Sequence, residues 1–325
     1  MLLWPYVCTS PLKNARLIQK FIGHITIYKA TPYLLYVAIF CYAVGCKQQS
    51  VPYNDNNCKK NAAFINKLGF NASKTYFTTA DKRLMGLVMV DATNANTPKI
   101  HQDSSWKKGG WLAPIQIDAQ GNIYVGPAPF INVLYNPLYN QNTVYIVAAQ
   151  TGIMAPFIQL PFDSITPTQN PFGIIGMAYL CEADVLYVSS IAGSSRTIEK
   201  GTIFQIDITS KKIKNKITAI DVLGMGISYS SGQRKLYFGK ARSADVFSIL
   251  LNEKGDFVGE PIFEFSLQDL GIRGDDKVRK IKPEKDGSLS VYGIEFNFNL
   301  VAPSEKLETV YSFIFNQELN KWQLR

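Results

Sequence analysis

Histidine is nearly absent from this chain, which has only His24 and His101 among its 325 residues. His24 precedes an apolar run that is typical of an export signal, so the exported chain is predicted to keep only His101. One histidine cannot supply a His-rich zinc site, and a Ser-His-Asp triad would depend on a residue of a predicted outer strand. The chain also lacks a G-x-S-x-G, Walker or dinucleotide-binding motif. These absences argue against the common zinc, serine-triad and nucleotide-dependent enzymes.

Charge is also scarce, because only 18% of the residues are charged and the net charge is +9. Residues 1–45 carry four basic and no acidic side chains, which leaves 30 basic against 25 acidic side chains in the remainder, a net charge of +5. That excess is too small and too scattered for a nucleic-acid surface. The lysine-rich run 211–216 falls on a predicted edge strand, where lysines prevent pairing with other strands. Nucleic acid is therefore not predicted as a partner.

A long apolar segment occurs once, near the amino terminus. Residues 32–45 carry no charge over fourteen positions, which is short for a spanning helix and typical of the core of a secretory signal. The segment ends in Ala-Val-Gly-Cys46, which resembles the lipobox of bacterial lipoproteins. The resemblance implies that Cys46 is lipidated and anchors the protein to a membrane; an uncleaved signal-anchor helix is the alternative. Lys47 stands where the family's inner-membrane retention signal has aspartate, which implies an outer-membrane lipoprotein of the bacterial cell envelope, facing the periplasm or the exterior.

Cysteine is left at two positions once the signal and the lipid site are set aside. Cys8 and Cys41 precede Cys46, so Cys58 and Cys181 remain. The two could pair in an oxidising compartment. Cys58 lies in the polar tether and Cys181 in a turn between strands, so a link is sterically conceivable, but two unrelated buried thiols are the favoured prediction.

Short strands separated by turn residues fill most of the remaining chain. The stretch 176–208 shows the pattern, with three β-branched or aromatic runs separated by a polar turn and a Gly/Ser loop. The same pattern recurs in five units of about fifty residues, which predicts an all-β fold, a β-propeller of five or six four-stranded blades. The predicted domains are a signal or anchor at 1–45, a lipid-anchored polar tether at 46–72 and the propeller at 73–325. Residues 61–70 could form a short helix or a first strand.

Nineteen strands are predicted in all. The first blade lacks an obvious innermost strand, and residues 51–75 could hide part of a sixth blade. The predicted strands span residues 76–79, 84–91 and 98–102 in the first blade, 113–118, 123–126, 144–147 and 157–160 in the second, 176–179, 186–189, 203–208 and 212–217 in the third, 226–229, 236–239, 246–251 and 261–265 in the fourth, and 278–282, 288–292, 309–315 and 321–324 in the fifth.

Two of these repeats resemble a known propeller superfamily. The phrases IDAQGNIYV (117–125) and GMAYLCEADVLYV (176–188) are similar to the repeat of the NHL and gluconolactonase-like propellers, and GISYSSGQRKLYFG (226–239) distantly resembles the yellow/royal-jelly group. The resemblance covers residues 110–295 and implies the fold. It implies little about function, because the shared residues belong to strands and turns.

The resemblance also implies a possible metal. Gluconolactonase-like enzymes hold a divalent cation in the central channel through acidic and amide side chains. Asp118, Glu295 and Asn297 are candidates for such ligands, but the family's glutamate on the opening strand has no match here. The prediction is therefore no cofactor, with calcium or another divalent cation as the alternative.

A candidate binding face follows from propeller topology. The loop between the second and third strands of each blade lies at the mouth of the central channel. Four cations lie in these loops. One further loop, in the second blade, is apolar and rich in aromatic residues. The candidate ligand-binding residues are Arg83, Phe130, Asn132, Tyr135, Tyr139, Arg196, Lys240 and Arg242.

Aromatic walls with a few cations predict a pocket for a small anionic molecule or a glycan. The alternative is that the arginines are solvated and that the aromatic loop folds over its own blade. The predicted function is an exported, membrane-anchored β-propeller that binds a ligand or serves as a scaffold. A metal-dependent, lactonase-like hydrolase is the alternative.

Overall fold

The computed structural model describes residues 58, 60–81, 83–130, 132–162, 170–300 and 307–325. The predicted signal segment and the predicted lipidation site at Cys46 lie outside these residues. No helix in the described residues is long and apolar enough to cross a membrane.

One α-helix, three short 3-10 helices and nineteen strands form the described structure. Helix α1 spans Ala63–Lys67. The strands are β1 Thr75–Thr78, β2 Val88–Asp91, β3 Lys99–His101, β4 Leu112–Ile117, β5 Ile123–Pro127, β6 Thr143–Val147, β7 Met154–Gln159, β8 Ile174–Leu180, β9 Val185–Ser190, β10 Thr202–Asp207, β11 Lys212–Thr218, β12 Val222–Ser228, β13 Lys235–Lys240, β14 Asp245–Leu251, β15 Phe257–Ser266, β16 Lys277–Pro283, β17 Leu289–Ile294, β18 Thr309–Asn316 and β19 Lys321–Leu324.

The strands pair into five antiparallel sheets in chain order. Blade one is β1-β2-β3, and the next four blades are β4 to β7, β8 to β11, β12 to β15 and β16 to β19. Neighbouring sheets meet through the first strand of each blade, β4 against β8, β8 against β12 and β12 against β16. This arrangement confirms the predicted all-β propeller and sets the number of blades in the described chain at five. The lysine-rich strand β11 is the outermost strand of its sheet, as predicted.

Within the described residues, blade one lacks the strand that lies innermost in the other blades. The chain leaves β1 at Thr79 and Ala80, which lie at the central cavity beside the beginnings of β4 and β8. Strand β1 therefore runs toward the face at which the other inner strands begin, as the second strand of a blade does. The three strands of blade one take the places of a second, third and fourth strand, which explains why no innermost strand stands out in the sequence.

The two faces of the disc carry different connections. The mouth face carries the loops between second and third strands and the loops that enter each next blade. The rear face carries the tight turns, including those at Gly121, Ala149 and Cys181. The inner strands lie close together near the axis. A Cβ atom on Gly224 of β12 would lie only 2.4 Å from the carbonyl carbon of Arg279 on β16.

The amino-terminal segment crosses the rear face. The Phe64 amide donates to the carbonyl of Ala149 at 3.0 Å, and Phe64 and Ile65 are buried in the core of blades one and two beside Trp106. Residues 60–72, which lie within the predicted tether, thus pack on the disc.

A disulfide joins Cys58 to Cys181, with the Cα atoms 6.0 Å apart. The prediction of two unrelated thiols is therefore wrong. The segment that follows Cys58 passes over the rear turns of blade two, where Lys60 and Ala62 lie beside Gly121. This path brings Cys58 to the first turn of blade three across 123 residues of sequence.

Candidate functional site

A cavity of about 320 Å³ lies at the axis, where the inner strands begin on the mouth face. All five blades contribute to its wall; for example, Thr79 belongs to blade one and Leu223 to blade four. The side chains that give this central cavity its chemistry are Trp111, Phe130, Phe172, Arg279, Glu295 and Phe296.

Aromatic pairs build two sides of the central cavity. The rings of Trp111 and Phe130 are 5.2 Å apart, and those of Phe172 and Phe296 are 5.7 Å apart. Such spacings are typical of stabilising aromatic contacts. The cavity thus offers broad apolar faces to a ligand.

A buried asparagine fixes the first of these pairs. The Asn136 amide group donates to the carbonyls of Gly109 at 3.1 Å and Trp111 at 2.9 Å, and its oxygen accepts from the Trp111 amide at 3.1 Å. These bonds tie the loop that carries Phe130 to the segment that enters β4. The wall is therefore preorganised by contacts beneath the loop.

The polar rim of the central cavity has nearly balanced charge. Arg279 donates through Nη1 to Glu308 Oε2 at 2.9 Å, which lies outside the lining, and Glu295 is the carboxylate of the described lining itself. One guanidinium beside two carboxylates gives no excess of positive charge. Hydrogen-bonding groups therefore face a ligand here without a strong preference for an anion.

The predicted aromatic loop contributes one of its four candidates to the central cavity. Phe130 lines the wall. Asn132 is exposed, and its side-chain oxygen accepts from the Leu134 amide at 2.9 Å. Tyr135 and Tyr139 are exposed and lie outside the cavity lining.

The four predicted cations are not brought together at the central cavity, and none of them lines it. Arg83 is 83% exposed and pairs at 3.0 Å with Asp81 of its own loop; its hydrogen bonds lower the pKa of the Asp81 carboxyl. Lys240 lies with Nζ 4.5 Å from the ring centroid of Phe247. Arg196 is exposed. Arg83 and Lys240 are thus held by partners outside the central cavity, and any role of the four cations in binding stays a prediction.

Arg242 stabilises the mouth face. Its Nε donates to Asp221 Oδ2 at 2.9 Å, and its Nη atoms donate to the carbonyls of Arg196 at 2.9 Å and Ser195 at 2.7 Å. Its guanidinium also lies 5.0 Å from the ring centroid of Phe298. Arg242 thus holds the loop between β9 and β10 in place.

The partner carboxylate, Asp221, is fully buried. Its oxygens accept from the Gly201 amide at 2.9 Å and from the Ser194 hydroxyl. Burial raises the pKa of the Asp221 carboxyl, and the Ser194 hydrogen bond and the Arg242 charge oppose that rise. The Arg242–Asp221 pair thus connects blade four to the loop of blade three.

The predicted metal ligands do not form one site. Asp118 lies in the turn before β5, where its carboxylate accepts from the amides of Gln120 at 2.9 Å and Asn122 at 2.8 Å and from the Tyr124 hydroxyl at 3.1 Å. Glu295 lines the central cavity, whereas Asn297 is exposed and outside its lining.

Across the described ranges, no three His, Cys, Asp or Glu side chains are grouped so that they could hold a metal ion. Calcium takes six to eight oxygen ligands. The described lining of the central cavity supplies Glu295 as its single carboxylate. The residues present there do not fit a resident calcium ion.

No protein-family model matches this chain, and no curated protein sequence matches it. Among solved structures, the chain is similar to a calcium-binding protein, regucalcin, from Agrobacterium tumefaciens, with 12% identity and a TM-score of 0.44 over 72% of this chain and 71% of the other. It is also similar to the Dos1 propeller, with 13% identity and a TM-score of 0.41 over 73% of this chain and 54% of that one. A periplasmic gluconolactonase from Pseudomonas aeruginosa shares 12% identity and a TM-score of 0.37 over 56% of this chain and 48% of its own. The propeller fold of this chain rests on the order of strands in its five sheets.

Proposed function

We propose that this protein is an exported, membrane-anchored β-propeller that binds a carbohydrate in its central cavity. The observation that carries the proposal is the wall formed by Trp111, Phe130, Phe172 and Phe296 around a polar rim. Aromatic faces bury the apolar side of a sugar ring, while a few polar groups orient its hydroxyls. Arg279 and Glu295 supply a donor and an acceptor at that rim.

The composition of the mouth favours binding over hydrolysis. A lactonase-like mechanism would require several oxygen ligands converging on one cation, whereas the cavity presents one arginine, one carboxylate and four aromatic rings. The pairing of Arg279 with Glu308 also favours a neutral sugar over an anionic one at this site. The metal-dependent hydrolase remains the alternative function.

Tryptophan fluorescence tests the proposal directly. Trp111 lines the central cavity, whereas Trp106 and Trp322 are buried in the cores between blades. A neutral sugar that binds in the cavity should change the emission saturably, and the change should be absent in Trp111→Phe.

Two matched variants locate the site. Phe296→Ala should weaken the affinity for the sugar at least tenfold, because one wall of the cavity is lost. Phe263→Ala removes an exposed ring from an outer strand and should leave the affinity unchanged. Equal affinities in wild type and Phe296→Ala, or no saturable change with any neutral mono- or oligosaccharide, would contradict binding at this site. Lactone hydrolysis that stops on chelation with EDTA would favour the alternative function.

Anchoring and export form a separate part of the proposal. The Cys58–Cys181 disulfide supports an oxidising compartment, and Cys46 follows the lipobox-like segment. Cys46→Ala should release the protein from the membrane fraction and abolish incorporation of labelled palmitate. Unchanged membrane association would instead indicate an uncleaved signal-anchor helix.

A further inference from the structure

A second cavity of about 290 Å³ lies between blades two and three, away from the axis. Its wall combines the end of blade two with the loop between β9 and β10 and the two outer strands of blade three. Its wall includes six charged or hydrogen-bonding side chains, those of Asn142, Ser190, Glu199, Lys200, Thr202 and Lys216.

A buried amide on this wall lacks a hydrogen-bond acceptor. Asn142 is 1% exposed, and its Oδ1 accepts from the Ser190 hydroxyl at 2.6 Å. Among the described residues, its Nδ2 donor has no hydrogen-bond partner. Since buried polar groups are nearly always paired, an unpaired donor at a cavity wall indicates a site for an acceptor atom of a ligand.

Two lysines give the same cavity a positive charge. Lys200 and Lys216 line it, and neither forms an ion pair within the described part of the chain. Glu199 also lines it, but this carboxylate accepts from the Asp221 amide at 2.9 Å and lies 3.8 Å from Arg242 Nε. The cations therefore outweigh the one carboxylate, which is already engaged.

The wall that carries Lys200 is held in a fixed position. The Lys200 amide donates to the Ser194 hydroxyl at 3.0 Å, and that hydroxyl donates to Asp221. Lys216 lies on β11 directly opposite Phe204 of β10, which also lines the cavity. The backbone positions of both lysines are thus set by the sheet and by the Arg242–Asp221 pair.

We propose that this cavity binds a small ligand that carries a carboxylate or phosphate group together with hydroxyl groups, such as a sugar acid or a sugar phosphate. Lys200 and Lys216 pair with the anionic group. The Asn142 amide and the Thr202 hydroxyl bond to the remaining oxygens. The volume is near the lower limit of about 300 Å³ for small-molecule sites, which suits one sugar-sized molecule. This site is independent of the central cavity and of the function proposed there.

Ligand-induced changes in Tm of the full chain test this site. Glucuronate provides the carboxylate, glucose 6-phosphate the phosphate, and inorganic phosphate the anion alone. We expect a saturable rise in Tm with glucuronate or glucose 6-phosphate, and the stronger of the two identifies the anionic group. A response to inorganic phosphate equal to both would mean that the hydroxyl contacts contribute nothing, and would overturn the assignment to a sugar.

Charge-neutral variants locate the response. Lys200→Gln/Lys216→Gln should weaken the apparent affinity for the sugar anion at least tenfold. Asn142→Asp should weaken that affinity as well, because a carboxylate replaces the amide donor. Lys214→Gln is the matched control, since Lys214 is on the same strand but pairs with Asp256. Phe296→Ala should also leave the response intact.

Two results would overturn the proposal. One is the absence of a saturable response of the wild type to either sugar anion at millimolar concentration. The other is an unchanged response in a folded Lys200→Gln/Lys216→Gln variant. A response lost in Phe296→Ala but kept in the lysine variant would assign the anion to the central cavity and reject this site.

Discussion

Replacement of Arg242 by methionine tests the interpretation that this residue stabilises the mouth face. Methionine keeps a long, unbranched side chain but removes the charge and the donors. The substitution leaves Asp221 buried without its cation, although the Ser194 and Gly201 bonds remain. Breaking a buried ion pair costs about 3–5 kcal/mol. Because the Arg242 side chain is 24% exposed, we expect the lower end, roughly 3 kcal/mol at neutral pH.

The loss should depend on pH in a defined direction. Burial already raises the pKa of the Asp221 carboxyl, and removal of the Arg242 charge raises it further. The folded variant then holds a proton that the unfolded chain, with its ordinary pKa of 3.8, has released. Stability falls as pH rises wherever the folded state binds more protons. The variant should therefore lose stability, relative to wild type, as pH rises from about 4 through the raised pKa, so its deficit should be smaller at mildly acidic pH than at neutral pH.

Urea unfolding at several pH values measures this effect. Arg242→Met/Asp221→Asn should recover part of the stability at neutral pH, because a neutral amide needs no countercharge. Arg83→Met is the matched control, since Arg83 is exposed and pairs within its own loop, and its unfolding midpoint should not change. A cost below about 1 kcal/mol for Arg242→Met, typical of an exposed pair, or a deficit that does not vary with pH, would contradict a stabilising role of Arg242 at the mouth face.

Three further substitutions probe the scaffold. Cys181→Ser opens a loop closed over 123 residues, which the chain-entropy account values at up to about 5 kcal/mol; unfolding of the reduced wild type should match that of the variant, and a match between variant and oxidised wild type would contradict this. Gly224→Ala places a Cβ 2.4 Å from the Arg279 backbone, so it should cost about 1–3 kcal/mol and weaken the sugar response in the central cavity; an unchanged Tm would show that the inner strands can separate. Asp118→Ala removes the acceptor of two amides in a rear turn, and should lower the free energy of unfolding by about 1–3 kcal/mol without altering either ligand response.

The blades were predictable from the sequence because strand signals are local. Each of the nineteen described strands overlaps a predicted one. Alternating apolar runs and turns that contain Gly or Asn are both recognisable from a few consecutive residues. The largest difference in the fourth blade is β15, which spans Phe257–Ser266 and is longer than the predicted 261–265. Edge strands have weaker patterns because one side meets solvent.

Side-chain partners were not predictable, because they come from distant parts of the chain. Arg242 meets Asp221 across 21 residues and the carbonyl of Arg196 across 46, and the disulfide spans 123. Topology placed the loops on the mouth face but gave no information about which carboxylate or ring each cation would meet. Ion pairs and ring contacts formed in the folded chain set the orientations of the cationic side chains.

Four of the six side chains that give the central cavity its chemistry were not predicted from the sequence. Trp111 and Phe172 lie just before β4 and β8, in the segments that enter a new blade, and Arg279 lies on the inner strand β16. Phe296 follows β17 in the loop between second and third strands. The predicted site used loops of four blades, and extending it to the fifth blade and to the entering segments would have included Phe296, Trp111 and Phe172.

Arg242 also links the surroundings of the two cavities, because it contacts a loop or ring beside each of them. Its bonds to the carbonyls of Ser195 and Arg196 hold the loop that lines the cavity between blades two and three. On its other side it lies over Phe298, whose ring is 5.1 Å from that of Phe296 in the central cavity.

A group that binds two walls at once restricts the motion of both. Both walls are therefore held in place before a ligand binds, which lowers the entropic cost of binding at each site. Arg242, which was predicted to bind a ligand, thus stabilises the walls of both cavities in this structure, and direct contact with a ligand stays a prediction. Arg242 connects the two places where a ligand could bind.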